Sequence, residues 1–470
     1  MANIIPIKDI NLGGLANSIY QGLANSVSEI VGLDIHSEPG IIKVNQKLTK
    51  ESGSNITDFV KKILPCSDGN TYLFGSTSGK IWKRTSAGSY SLEATAAPAV
   101  GAAGIMDAIE DQGYIYYTMQ NRIGRWQVGT AWSGRNDSWA TFKSGDTAFH
   151  PLFKVNLIVY IGDGQYIAQI EDGIFTDDAL DFALGARAKC LGTTGVNLLI
   201  GDYVSDNVAW AEIFDWNTWS VSFTTSDPVY EKGINAFLKT DNAVLTSVGE
   251  KGLIYSYDGS RLTTPKRIPG LWGIGKKATV HQDASANLNI PLFGFSNVTN
   301  NPCPLGVYGL GSYSGDYSPV LTLEHIISQN ITTNLEIGSV VVVDDYLLVS
   351  WVDRTTPASP IYGIDKLDAS NKYTSAYFTT REIAPERCTG NTVGVINVPY
   401  RTIPTGCSIQ IWKKVNHGSW EQITETTTDD VKKIVRTEVN IEEMNTCEIR
   451  VVLVGTANLA PEVEGLEINI

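Results

Sequence analysis

Cysteine is sparse in this chain and never clustered. The 470 residues hold 6 cysteines, at Cys66, Cys190, Cys303, Cys388, Cys407 and Cys447. With no CxxC pair among them, zinc-ribbon and thioredoxin-type motifs are excluded. So low a density predicts reduced, mostly buried thiols in a chain assembled in a cytoplasm. Cys407 and Cys447 alone invite a disulfide, within the last domain. The 5 histidines, His36, His150, His281, His325 and His417, fall in no HxxxH or HExxH spacing. The nucleophile elbow GxSxG, the P-loop, a GxGxxG between strand and helix, and the DxDxDG calcium loop are also missing.

Long apolar runs are missing too. Val340–Val343 and Leu157–Ile161 are strand-length, far short of the roughly 20 residues of a membrane helix, so no membrane-spanning segment is expected. The opening MANIIPIKDINLGG has no basic segment followed by an apolar core, so no secretion signal is expected either. Positive charge is in the minority: 36 Lys and Arg against 50 Asp and Glu leave a net −14. That balance argues against a general nucleic-acid binder, which needs a basic face, while leaving room for a wall past which nucleic acid slides.

What the chain has is turn-rich β character. Glycine reaches 44, tyrosine 20 and tryptophan 11, with only 18% charged residues, a profile of strands and tight turns. Leu157–Gly173, LIVYIGDGQYIAQIEDG, sets the pattern: an apolar run, the turn Gly162-Asp163-Gly164, an alternating run, and the turn Glu171-Asp172-Gly173. The pattern recurs. Aliphatic strands centred on Leu73, Ile115, Ile158, Leu199, Val244, Leu292 and Leu347 are spaced by 42, 43, 41, 45, 48 and 55 residues. A strand-only period in this range predicts an all-β fold, a β-propeller of four-stranded blades. The count is about seven blades, with six to eight compatible with the stretched last intervals. Paired β-sandwiches would not call for so constant a repeat.

Return strands are expected at Ile81-Trp82, Ile123 to Trp126, Tyr166-Ile167, Ala209-Trp210, Leu253 to Tyr255 and Ile361-Tyr362. The aliphatic strands are expected to crowd the axis and the aromatics to fill the space between blades. Asn297–Tyr317, rich in Gly, Asn, Pro and Ser, reads as a long loop. Residues 1–60 read as a lead-in arm with a closing strand, residues 61–375 as the propeller and residues 376–470 as a small C-terminal β-sandwich. The last assignment rests on period-two alternation such as Ile409 and Ile411 against Gln410 and Lys413. Within the lead-in, Ala16–Val31 suggests a short helical or irregular stretch, and Ile56–Ile63 a helical turn or the outer strand of the first repeat.

Propellers can be glycosidases, which need two facing carboxyl groups. Asp107, Asp111, Asp163, Asp202, Asp215 and Asp344-Asp345 are available, but each sits beside a turn, where Asp is favoured for local hydrogen bonding. The Ser-x-Asp-x-Gly-x-Thr-Trp box of sialidases is missing; Ser67-Asp68-Gly69-Asn70-Thr71 resembles it loosely. Trp210, Phe214, Trp216 and Trp219 are either a sugar-stacking platform or inter-blade core, the latter favoured. Trp126, Trp132 and Trp139 read the same way. No catalytic, metal-binding or cofactor-binding set emerges.

The lead-in, with Gly13-Gly14-Leu15, Gly32-Leu33-Asp34-Ile35 and Glu38-Pro39-Gly40-Ile41-Ile42, resembles the opening of β-propeller structural proteins of tailed bacteriophages. The stretch Cys66–Tyr90 resembles their first blade. Tyr377-Phe378, Pro404 to Ile409 and Trp420 resemble the sandwich that follows. The resemblance implies a non-enzymatic virion component of the tail, of the nozzle or tail-tip type, assembled in the bacterial host cytoplasm. Its implied partners are other phage tail proteins, further copies of itself in a ring, and genomic DNA in passing. A receptor- or glycan-binding tip or fibre protein, with a host surface glycan as partner, and a propeller glycosidase are the alternatives. A cellular scaffold propeller is disfavoured by the missing WD and kelch signatures.

Overall fold

The computed structural model describes residues 4–7, 10–16, 25–51, 56–96, 104–146, 148–181, 185–223, 225–241, 243–263, 266–269, 271, 277–296, 306–311, 319–329, 334–383, 393–440 and 446–469. Seven four-stranded blades form from them. Blade one is Val60–Pro65, Thr71–Gly75, Lys80–Arg84 and Tyr90–Thr95. Blades two to six begin at Asp107–Asp111, Leu152–Val155, Arg187–Thr193, Ile234–Lys239 and Thr279–Leu288. Blade seven is Leu335–Val343, Tyr346–Asp353 and Ile361–Lys372, completed by Gln46–Lys50 from the start of the chain. The first strand of each blade packs against the first strands of its two neighbours, and the seven close into a ring around an axis.

Local chemistry builds the blades. In blade three, Asn156-Leu157 and Asp172-Gly173 each place two consecutive residues at positive φ, the geometry of a two-residue turn that matches strand twist. Leu157 is therefore a turn residue, 75% exposed, rather than the start of the strand. The intervening turn falls at Gly164-Gln165, because Asp163 pairs with Tyr166 and ends its strand. Asp344-Asp345 is the turn of the first blade-seven hairpin, with Asp344 at positive φ.

The aliphatic strands that set the period are the second strand of each blade, not the axial one. Leu73, Ile115, Leu199 and Leu347 are fully buried, since a second strand has neighbours along both edges and blades on both faces. The axial strands carry polar residues, among them Lys61, Lys62, Asp107 and Lys189. Val60–Pro65 is likewise the inner strand of blade one, not a helical turn or an outer strand. Aromatics do fill the gaps between blades: Tyr72 of blade one meets Trp126 and Trp132 edge-on at 5.3 and 5.6 Å, and the two indoles stack at 4.0 Å. Trp139 contacts Tyr116 and, across the gap to blade three, Phe175.

Blade six does not end at its fourth strand. Beside Val320–Ile326 lies Val27–Val31 in parallel, followed by Ser375–Thr380, Cys447–Val454, Ser408–Val415 and Glu421–Thr426, so that one nine-stranded sheet runs from blade into sandwich. Val27–Val31 thus corrects the helical or irregular expectation there; residues 17–24 lie outside the described residues. The facing sheet combines Ile4–Ile7, Leu33–Asp34 and Ile42–Val44 with Val393–Thr402, Ile434–Asn440, Glu462–Val463 and Leu466–Asn469. Cys447–Val454 alternates buried and half-buried along its whole length, the signature of a sheet with one face in a core. Cys66, Cys190, Cys407 and Cys447 are free thiols, so the Cys407–Cys447 disulfide does not form; Cys303 and Cys388 lie outside the described residues.

Within the stretch expected to be one long loop, Gly306–Gly311 is the third strand of blade six. Its glycines serve close packing: a Cβ at Gly306 would stand 2.2 Å from the His325 carbonyl oxygen, and one at Gly309 would stand 2.6 Å from Glu324 Cγ.

Candidate functional site: the axial cavity

Where the axial strands begin, six blades meet around a cavity of about 100 Å³ lined by Lys61, Met106, Pro151, Lys189, Asn235 and His281, among others. Each position follows from the fold. Lys61, Lys189, Asn235 and His281 lie within the first few residues of inner strands, whose starts converge on the axis.

Asp283 also lines the cavity, and Lys62 Nζ bridges it, at 3.0 Å from Asp283 Oδ1, to Asp107 Oδ1 at 2.9 Å. Burial and the neighbouring Asp107 push the Asp283 carboxyl well above the usual carboxylate range. Burial alone would lower Lys62, but the two carboxylates outweigh it and raise its pKa. Glu336 is held by Arg354 at 2.7 Å, and His281 Nε2 lies 3.9 Å from it, too far for a hydrogen bond. Lys189 Nζ donates to Asn235 Oδ1 at 2.6 Å and lies over the Tyr203 ring. Burial pushes both Lys61 and Lys189 down from the ordinary lysine value, and pushes His281 down as well.

The carboxylates singled out in the sequence are tied into the fold. Asp107 accepts from the Leu152 backbone N–H at 2.7 Å besides its Lys62 contact. Asp111 pairs with Lys154 at 2.6 Å. Asp163, fully buried, accepts from the backbone N–H groups of Lys143 and Ser144 and from the Ser144 hydroxyl. Asp202 accepts the Glu212 N–H at 2.6 Å, and burial pushes its pKa up to about 7. Asp215 accepts from Asn197 at 2.7 Å, with its pKa raised by burial. The loose sialidase-like box is a turn in which Asp68 accepts from Asn70 and from the Tyr72 hydroxyl. Asp107 and Asp283 are brought together, but on an ammonium group. His150 is a core histidine: both ring nitrogens meet backbone carbonyls and the ring stacks on Phe142 at 3.9 Å.

The blade-four aromatic cluster is divided. Phe214 and Trp216 are buried in the gap between blades, whereas Trp219 is 84% exposed and Trp210 packs edge-on against the exposed Tyr230 at 5.1 Å. Trp210 precedes the strand Ala211–Trp216 rather than belonging to it.

Lys61, Lys189, Asn235 and His281 were not legible as a group. Polar residues near the start of each inner strand were the available signal, but the aliphatic second strands drew the period.

The ring of seven blades defines a β-propeller carrying an appended sandwich. No protein-family model and no curated protein matches the sequence. Among solved structures, streptogramin B lyase is similar over 69% of this chain and 98% of its own, with 12% identity and a TM-score of 0.46. U3-55K is similar over 68% and 98%, with 11% identity and a TM-score of 0.47. An extracellular domain from B. thetaiotaomicron matches 83% of this chain, which spans about half that domain (47%), with 14% identity and a TM-score of 0.47. At these values the propeller assignment rests on the blades themselves.

Proposed function

We propose that this chain is a non-enzymatic structural protein of a tailed bacteriophage, a nozzle or other tail component that assembles into a ring and guides genome passage. The observation that carries the reading is the nine-stranded sheet: blade six continues into the sandwich through the parallel pairing of Val31 with Leu323, as suits a building block made of propeller and sandwich together. Two further features support it. The Lys62–Asp107–Asp283 bridge ties the inner strands of blades one, two and six together, as suits a rigid unit whose genome path runs between subunits of the ring. The net charge of −14 favours sliding over sticking, because negative walls repel phosphate. Ring formation calls for heterologous contacts between copies, offered by outer loops and the sandwich.

A glycosidase reading draws no support from the axis, where the cavity of about 100 Å³ is well below the roughly 300 Å³ at which ligand pockets begin. A second reading, a receptor- or glycan-binding tip protein, is favoured by exposed Trp219, Trp210 and Tyr230. Negative-stain electron microscopy with native mass spectrometry separates the two. Rings with a central channel are expected; a monomer at every concentration, joined by glycan-array binding that Trp219→Ala abolishes, would replace the first reading by the second.

A further inference from the structure

The axial cavity has an unbalanced charge. Around it stand Lys61, Lys62, Lys189 and Arg354, and among the described residues the carboxylates at ion-pair distance from any of them are Asp107, Asp283 and Glu336. Asp107 and Asp283 are committed to Lys62, and Glu336 to Arg354. Lys189 has an amide oxygen and aromatic rings but no carboxylate partner at ion-pair distance, and Lys61 has no ion pair among the described residues. Both amines lie close enough to His281 to disfavour its protonation, so three basic groups from blades one, four and six surround one space. Lys61 and Lys189 are half-buried, and withdrawing an ammonium from water without a counter-charge carries a cost that a bound anion would offset.

We propose that the axial cavity is a binding site for one small oxyanion of the phosphate class, held by Lys61 and Lys189, with the Asn235 side-chain amide and His281 in the wall. Size agrees with charge. About 100 Å³ accommodates about three waters at roughly 30 Å³ each, enough for an inorganic oxyanion and too little for a sugar ring or a nucleotide. Asn235 Nδ2 donates to the Gly249 carbonyl at 2.7 Å while its Oδ1 accepts from Lys189. The amide is thereby fixed and orients the Lys189 amine. The site requires no particular oligomer and stands apart from the virion reading.

Titration of the full chain with inorganic phosphate, followed by calorimetry and thermal unfolding at constant ionic strength set with sodium chloride, tests the site. One saturable site per chain is expected, with a melting temperature that climbs with phosphate. Lys61→Met and Lys189→Met should each weaken binding at least tenfold, while Lys239→Met, at an exposed position, should leave it unchanged. Without phosphate, Lys61→Met should melt at or above the parent temperature, because a half-buried ammonium with no ion-pair partner among the described residues has been removed. This second readout also shows that the variant folds. Absence of saturable binding at 20 mM phosphate (about a hundredfold above a sub-millimolar Kd), or binding equal in the parent and both cavity variants, would overturn the proposal.

Discussion

Blades two and three and the region around blade six are made of the same strands by opposite means. In blades two and three, four strands follow one another along the chain and each pairs with the next through a short loop. Around blade six and the sandwich, neighbours come from the two ends of the sequence: Val31 pairs with Leu323, Ile30 with Phe378, and Leu48 with Leu367 in blade seven. Local pairings form early and at low entropic cost; pairings across the whole chain must close large loops first. The propeller is thus a row of locally paired blades whose ring is shut only when Gln46–Lys50 has paired with Ile361–Lys372.

The largest break in that contrast is removal of residues 1–50. It takes away the fourth strand of blade seven and the strand that splices blade six to the sandwich. Loss of a cooperative unfolding transition, with exposed sheet edges that aggregate, is expected, read by circular dichroism and light scattering. A truncated chain that melts cooperatively near the parent temperature would show the blades to be self-sufficient.

A smaller break targets the latch beside the closing strand. Glu51 accepts from buried Arg84 at 2.6 and 2.7 Å and from the Tyr90 hydroxyl at 2.7 Å. Burial alone would raise the Glu51 pKa; the bonds from Arg84 and Tyr90 outweigh it and hold the carboxyl below its ordinary value. A carboxylate depressed in the folded state contributes stability that is present above the unfolded pKa and is lost as pH falls through the folded one. Glu51→Ala, which strands Arg84, should cost about 3–5 kcal/mol by urea denaturation at pH 7, and the difference from the parent should shrink below pH 4.

Asp202, inside blade four, should sharpen the contrast in the opposite direction. Its carboxyl is raised to about 7 by burial, so the folded state pays for ionisation as pH climbs from the unfolded carboxylate range through that value. Asp202→Asn keeps an oxygen for the Glu212 N–H and removes the charge. A gain of about 1–2 kcal/mol at pH 8, vanishing near pH 4, is expected from paired melts. A loss at pH 8 would mean the ionised form is the one the blade prefers.

How much of this the sequence disclosed depends on the range of the pairing. The blade period was legible because the second strands are buried on both faces and read as apolar runs; Leu73, Ile115 and Leu199 marked it. The alternation of the sandwich was legible in Ile409 and Ile411 for the opposite reason, since only one face of that strand meets the core. Gly306–Gly311 was not, since glycines placed for close approach look like glycines placed for turns. Nor was the union of Val27–Val31 with blade six: one buried strand with the pattern VSEIV says nothing about a partner some 290 residues away. The axial lysines escaped because their grouping exists only once seven blades have closed.

The splice at blade six has a mechanical consequence. A sandwich joined by a flexible linker would swivel, and a force applied to it would be dissipated in the linker. Here the two bodies share Val27–Val31, with Arg450 clamped between Tyr377 and Trp420 at 4.1 Å from each and bonded to Glu29 at 2.6 Å. A pull on the sandwich therefore reaches blade six through backbone pairing at Val31 and Leu323 and not through a linker.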